Sequence, residues 1–243
     1  ADGRLTLKGA VREILATEML AGLNVNTSRS FSVIETGESL DRHDEPSPTR
    51  SAVLVRLSHG HIRIGSFQRL AYMDDMDGIE ILARHVARHY FSEPEEIDNQ
   101  QLSSLDANAP LAELLPSLLL RISAAIANTV GSWLAAGFVH GVLNTDNFNV
   151  TGESFDYGPW RFLPQFDPSF TAAYFDQTGR YAYGRQPDAA LWAVCRLADC
   201  FVKVVPPKDL EGQLRSFHSF VEARLAKQIQ WRLGIVFDHD DAE

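Results

Sequence analysis

Apolar residues recur at helical spacing between positions 6 and 23, through Val11, Ile14, Leu15, Met19 and Leu23, and the pattern stops near Gly22 and Asn24. This predicts a first helix that carries Arg12, Glu13 and Glu18. Residues 25–35 are rich in β-branched and hydroxyl side chains and read as a strand ending at Thr36-Gly37. The polar stretch 41–48, with two prolines, marks a surface loop. Residues 52–57 form a short apolar run with Arg56 set into it, a second strand expected to pair with the first. Helical periodicity returns over 77–90 through Ile79, Leu82, Val86 and Tyr90, and residues 92–109 read as polar linker.

After Pro110 the pattern changes to long helices. The first spans 111–137, and two more are predicted over about 188–205 and 209–233, with Pro187 placed at a helix start. Between them, residues 148–150 and 154–155 flank Thr151-Gly152-Glu153 as a β-hairpin would. The apolar run from Leu111 to Ala136 is interrupted by Glu113, Pro116, Arg121, Asn128 and Ser132, which suits a buried core helix better than a membrane span.

Composition narrows the picture. The chain has 243 residues, 45% hydrophobic and 22% charged, enough for one large domain or two small units around a sizeable core. A net charge of -10 argues against a nucleic-acid footprint, which draws on clustered Lys and Arg, but leaves room for a local nucleotide pocket. Cys195 and Cys200 are too few for a disulfide framework and read as two buried thiols in a reducing compartment. With no signal peptide ahead of the first helix, a cytoplasmic location is expected, or a mitochondrial one in a eukaryote. No membrane or nucleic-acid partner is expected.

The chemistry concentrates in one stretch. His140-Gly141-Val142-Leu143-Asn144-Thr145-Asp146-Asn147 keeps the His-to-Asn spacing of a kinase catalytic loop, and Asp156-Tyr157-Gly158 stands where the metal-binding D-F-G would. The position of the kinase base is Val142, whose isopropyl group accepts no proton. Asn147 and Asp156 therefore read as a surviving Mg²⁺ or Mn²⁺ site, with a loop Asn and a turn Asp as the plain alternative. Asp146 is either a base or a capping carboxylate. His140 reads as structural. His85 and His89 share a helix face beside Arg84 and Arg88, which reads as solvated surface. Arg56, in an apolar strand, needs an anionic partner whatever its role.

The chain resembles the selenoprotein O family of protein adenylyltransferases. The matching phrases are Asp2-Gly3-Arg4, Val11-Arg12-Glu13, Arg56, His61-Ile62-Arg63, Gly65-Ser66-Phe67-Gln68, residues 137–147, Asp156-Tyr157-Gly158-Pro159, residues 179–183 and Gln186-Pro187. The resemblance implies an α+β, protein-kinase-like two-lobe fold: a truncated N-terminal lobe over 1–109 and a mostly helical C-terminal lobe over 110–243. It implies transfer of AMP from ATP to Ser, Thr or Tyr hydroxyls of proteins, with the nucleotide reversed relative to ordinary kinases. Carried over, Asn147 and Asp156 match the Mg²⁺ ligands and Asp146 the proposed base. Arg56 and Arg63 match the phosphate-holding arginines, and Glu13 the helix glutamate that pairs with the nucleotide-binding lysine. That lysine and a glycine-rich segment, expected upstream of Asp2, are not in this sequence, so Glu13 is expected to lack its partner and activity to be impaired. Lys8 aligns with a basic residue at the helix start, and Ala172 replaces a cysteine that many relatives carry. Two other functions compete with this one. Small-molecule kinases of the aminoglycoside or choline type share the His-Gly loop but keep an aspartate at the Val142 position; the second competitor is an inactive nucleotide-binding pseudokinase or scaffold.

Overall fold

The computed structural model describes residues 3–42, 46–97 and 100–235. The chain is α+β. A three-stranded antiparallel sheet is built from β1 (Leu5–Thr6), β2 (Arg29–Leu40) and β3 (Thr49–Leu57) in the order β1-β3-β2, with Leu5 opposite Ala52 and Ile34 opposite Val53. β2 begins later and runs further than its composition predicts, and it is interrupted by irregular register between Ser30 and Ser32 and between Glu35 and Ser39. Part of the predicted polar loop, residues 43–45, lies outside the described residues.

Helix α1 (Leu7–Gly22) packs on this sheet, its start capped by Thr6, whose Oγ1 accepts from Gly9 N at 3.0 Å. Its inward face is not the apolar stripe. Ala10, Glu13, Ala16, Thr17 and Leu20 are buried, whereas Val11, Leu15 and Met19 are exposed. Small side chains let the helix approach the sheet, and the larger apolar residues, spaced by four, fall on the outer side.

A helix that the sequence pattern does not predict, α2 (Ile64–Tyr72), follows β3. It buries Ile64 and Phe67 and is followed by α3 (Met76–Tyr90), which the periodicity did predict. The predicted linker contains a small antiparallel pair, β4 (Glu95–Ile97) with β5 (Gln100–Leu102), whose connecting residues 98–99 lie outside the described set.

Helix α4 (Leu111–Ala136) is the axis of the larger core. It is long and apolar enough to cross a membrane, but 72% of that window is buried within the fold. α5 (Gln186–Asp199), α6 (Pro207–Leu214) and α7 (Phe217–Leu233) pack around it. The helix predicted over 188–205 ends at Asp199, and the one predicted over 209–233 breaks at Arg215–Ser216. The break lets α6 meet α5 as well as α4, while α7 runs along α4. Gly131 permits that close approach, because a Cβ there would sit 2.6 Å from the Val221 carbonyl oxygen. Arg121 is buried in α4 and fastens the β4–β5 pair through Ser103 O at 2.6 Å and Glu95 at 3.1 Å. α4 ends at Gly137 in the left-handed conformation, φ 64, and the chain passes into β6 (Phe138–Val139), which pairs with β7 (Arg161–Phe162).

Between β6 and β7 lies the candidate site. The hairpin predicted at 148–155 does not form. Its two arms turn away from each other and bridge to different segments, Asn149 to Arg63 and Ser154 to Thr27. The backbone groups that a hairpin would pair are taken by Ile62, Ile64, Asn26 and Ser28 instead. The segment that follows the 140–147 loop is thereby tied directly to residues 26–28 and 62–64.

Candidate active site

Four of the six residues singled out in the sequence converge around one ring. Phe155 is fully buried, with the guanidinium of Arg56 5.7 Å and that of Arg63 5.0 Å from its ring centre. Arg56 projects from β3 towards α1 and pairs with Glu13, Nη1 to Oε2 at 3.4 Å. Arg63, the residue just ahead of α2, lies 3.9 Å from the Asp156 carboxylate. Glu13, without the lysine expected as its partner, pairs with Arg56 instead, and the anionic partner that an arginine in an apolar strand requires is Glu13.

The Glu13 carboxyl is nonetheless pushed up to about 7. Burial is the largest cause, and the nearby Asp156 charge adds to it; Arg56, the Tyr157 backbone amide and Arg12 pull the other way without winning. A 3.4 Å contact to a partly exposed guanidinium returns less than the loss of water costs.

Asp156 itself adopts φ 60, a left-handed conformation that Asp tolerates better than most residues. Its neighbour Tyr157 is buried and hydroxyl-bonded to Thr27. Arg12 on α1 reaches the same segment, its Nη2 donating to Trp160 O at 3.0 Å while the guanidinium lies 4.9 Å over the Trp160 ring. One helix thus holds both Glu13 and the chain that follows Asp156.

Asp146 and Asn147 occupy a 3-10 turn, Thr145–Asn147, introduced by Asn144, whose Oδ1 accepts from Asp146 N at 3.0 Å. The Asp146 carboxylate rests on the first turn of α2: a Cβ on Gly65 would lie 1.9 Å from its Oδ1. Asn147 Nδ2 donates to Val142 O at 2.8 Å, which leaves its amide oxygen as the available ligand atom. Among the described residues, no hydrogen bond or ion pair joins the side chains of Asn147 and Asp156. Both are partly exposed oxygen donors, the chemistry that Mg²⁺ accepts when it takes one or two protein ligands beside phosphate oxygens and water. No cluster of three or more His, Cys, Asp or Glu side chains able to hold a metal occurs among the described residues.

His140 is structural, as its position suggests. It is fully buried; its Nε2 donates to Phe155 O at 3.3 Å, and burial lowers its pKa to about 4. Gln186 bridges its backbone, accepting from His140 N at 3.0 Å and donating to Phe138 O at 2.9 Å. A cavity of about 590 Å³ adjoins the cluster, with Glu13, Asp156, Lys8, Arg12, Arg161 and Tyr174 in its wall.

A family model described as protein adenylyltransferase SelO matches residues 1–243. The chain belongs to the SelO family. Among curated SelO relatives, a protein nucleotidyltransferase YdiU from Trichodesmium erythraeum is 45% identical over 96% of this chain and 48% of its own length. The Synechocystis protein of the same name is 46% identical over 96% and 47%, and that of Rhodopseudomonas palustris strain TIE-1 is 42% identical over 87% and 39%. The chain spans about half the length, or less, of the curated relatives it matches.

Several neighbours of the candidate site are not legible in the sequence. Phe155 stands out in the sequence only as part of an expected hairpin arm. Glu153, at the turn of the expected hairpin, is buried and holds His59 through Nδ1 and the backbone N–H, each at 3.0 Å. Gly65 was visible only as part of a family phrase, since the helix it opens was not predicted. The two cysteines are free thiols, Cys195 half-buried and Cys200 buried, as their number suggested.

Proposed function

We propose that this chain is the nucleotide-handling part of a Mg²⁺-dependent protein adenylyltransferase, organised as a kinase-like pair of lobes over 1–109 and 110–243. The observation that carries this reading is the Glu13–Arg56–Phe155–Arg63–Asp156 cluster beside a catalytic loop with an aliphatic residue at the kinase base position. Membership of a nucleotidyltransferase family supports ATP as the donor, and the fully bacterial origin of the relatives named above fits a cytoplasmic protein.

In this reading Arg56 and Arg63 bind phosphate oxygens. Two guanidiniums backed by one ring offer paired N–H donors at fixed spacing. Asn147 Oδ1 and the Asp156 carboxylate hold the cation, which supplies charge neutralisation at the α-phosphate when bound. The acceptor hydroxyl of a Ser, Thr or Tyr attacks the α-phosphorus, the bond to the β-phosphate breaks, and pyrophosphate leaves. The hydroxyl proton passes to Asp146, whose carboxylate is held against Gly65 and stands four residues beyond the aliphatic Val142.

Incubation with α- or γ-labelled ATP tests this. Label on protein from the α position only is the expected result; label from the γ position only would rule out adenylyl transfer. Thermal-shift titration with Mg-ATP gives a second readout. A stabilising shift lost in Asp156→Ala is expected, whereas no shift in the unsubstituted chain would favour an inert scaffold.

A further inference from the structure

A second cavity, of about 360 Å³, opens beside the catalytic loop, walled by Leu143, Thr178, Arg180, Arg185, Asp188 and Trp192. Leu143 directly follows Val142 and stands three residues before Asp146, and α5, which carries Asp188 and Trp192, packs against the turn that holds Asp146. The loop bearing Arg180 is fixed from within. The Asp176 carboxylate accepts the backbone N–H groups of Arg180 at 2.8 Å and Tyr181 at 2.7 Å. Arg180 then lies 5.0 Å over the exposed Trp192 ring, with Arg196 5.5 Å from the same ring.

The charges in this wall are unbalanced. Arg196 is paired with Asp199 at 3.0 Å, but among the described residues no carboxylate pairs with Arg180 or Arg185. Arg185 has a neutral partner, its Nη1 donating to Thr178 O at 3.3 Å. Asp188 is the single acid in the wall, and its ion-pair contact is with His218 at 3.8 Å. On a chain of net charge -10, two guanidiniums without anionic partners around a concave, Trp-floored space favour an incoming anion. The volume suits one or two side chains and is small for a nucleoside triphosphate. An apolar ring beside the cations suits the methylene stem of a glutamate.

We propose that this cavity docks an acidic side chain of the acceptor polypeptide, lying within a few residues of the hydroxyl presented to Asp146. The proposal rests on the reading of the chain as a transferase acting on polypeptide hydroxyls. It adds a preference for acceptors with Glu or Asp beside the modified residue.

The test is binding of a fluorescein-labelled peptide carrying one serine flanked by glutamates, compared with glutamine and lysine versions, by anisotropy at low and moderate salt. The glutamate peptide should bind most tightly and weaken with salt, and Arg180→Ala/Arg185→Ala should cost it about tenfold. Both arginines are exposed, so the double variant should fold, and its thermal shift with Mg-ATP should be unchanged. Trp192→Ala should weaken the glutamate peptide as well. Equal binding of the glutamate and glutamine peptides would overturn the proposal, as would a double variant that keeps full peptide affinity or that loses the Mg-ATP shift instead. Peptide binding in the expected pattern without any transfer of α-label would count against the transferase reading and for the docking site.

Discussion

Helices α4 and α1 treat their apolar residues in opposite ways. α4 buries Leu114, Leu115, Leu118, Leu119, Ile122, Ile126, Val130 and Trp133 among three later helices, so its sequence is apolar nearly all round. α1 turns Val11, Leu15 and Met19 outward and buries a glutamate. The sheet beneath it behaves likewise: Phe31, Ile34, Val53, Val55 and Leu57 are all exposed. The later helices bury their apolar faces in one cluster that also takes in Leu20, Ile64 and Phe67, while the sheet leaves its own apolar residues exposed and α1 places a charged group at its junction with the segment around Asp156.

Substitution can break that contrast. Leu118→Ala or Trp133→Ala should cost about 2–5 kcal/mol in denaturant unfolding, because each leaves a cavity in a close-packed interior. Leu15→Ala and Val53→Ala should stay within about 0.5 kcal/mol. An equally large loss at Leu15 or Val53 would mean that the outer face is covered in solution.

The second effect belongs to Glu13. Its carboxyl is held up near 7 in the fold against 4.5 for the free side chain, so between those pH values folding takes up a proton. The associated stability is fully present below pH 4.5 and is lost as pH rises to about 7, amounting at most to about 3 kcal/mol. Glu13→Gln should flatten that part of the stability-against-pH curve. A slope that survives the substitution would place the titrating group elsewhere.

At the small end stands the pair Arg50 and Glu35 on neighbouring strands of the sheet. Both are exposed, and each strengthens the charged form of the other. Arg50→Ala should leave the unfolding midpoint where it was, since solvent screens such pairs. A clear drop would show that the sheet half draws more from its surface than its burial suggests.

Much of this arrangement could be read in the sequence, though unevenly. α4 and α3 were plain because long periodic apolar runs leave no other solution. The stripe on α1 likewise announces the helix, which ends at Gly22 as expected, but Val11, Leu15 and Met19 face outward, because periodicity alone does not say which side a helix buries. α2 was lost because Gly65 and Ser66 near its start look like loop residues. The 148–155 hairpin was wrong for a different reason: its arms carry strand-like residues, but their partners lie more than 80 positions away at Ile62, Ile64 and Asn26. Asp156 could be named from its motif, Arg56 from its apolar strand, and Glu13 and Arg63 only through the family resemblance, but their meeting on Phe155 depends on the bridges that those distant partners make.

The imidazole that opens the 140–147 loop has a practical consequence for anyone recording a pH profile. Since His140 stays neutral down to about pH 4, an inflection seen near neutrality cannot be its protonation, familiar as that assignment would be for a histidine beside a reaction centre. The ring works as a fixed spacer between the Phe155 carbonyl and the Trp133 indole, and its nuclear-magnetic-resonance signals should not move through the whole range in which the carboxyl on α1 titrates.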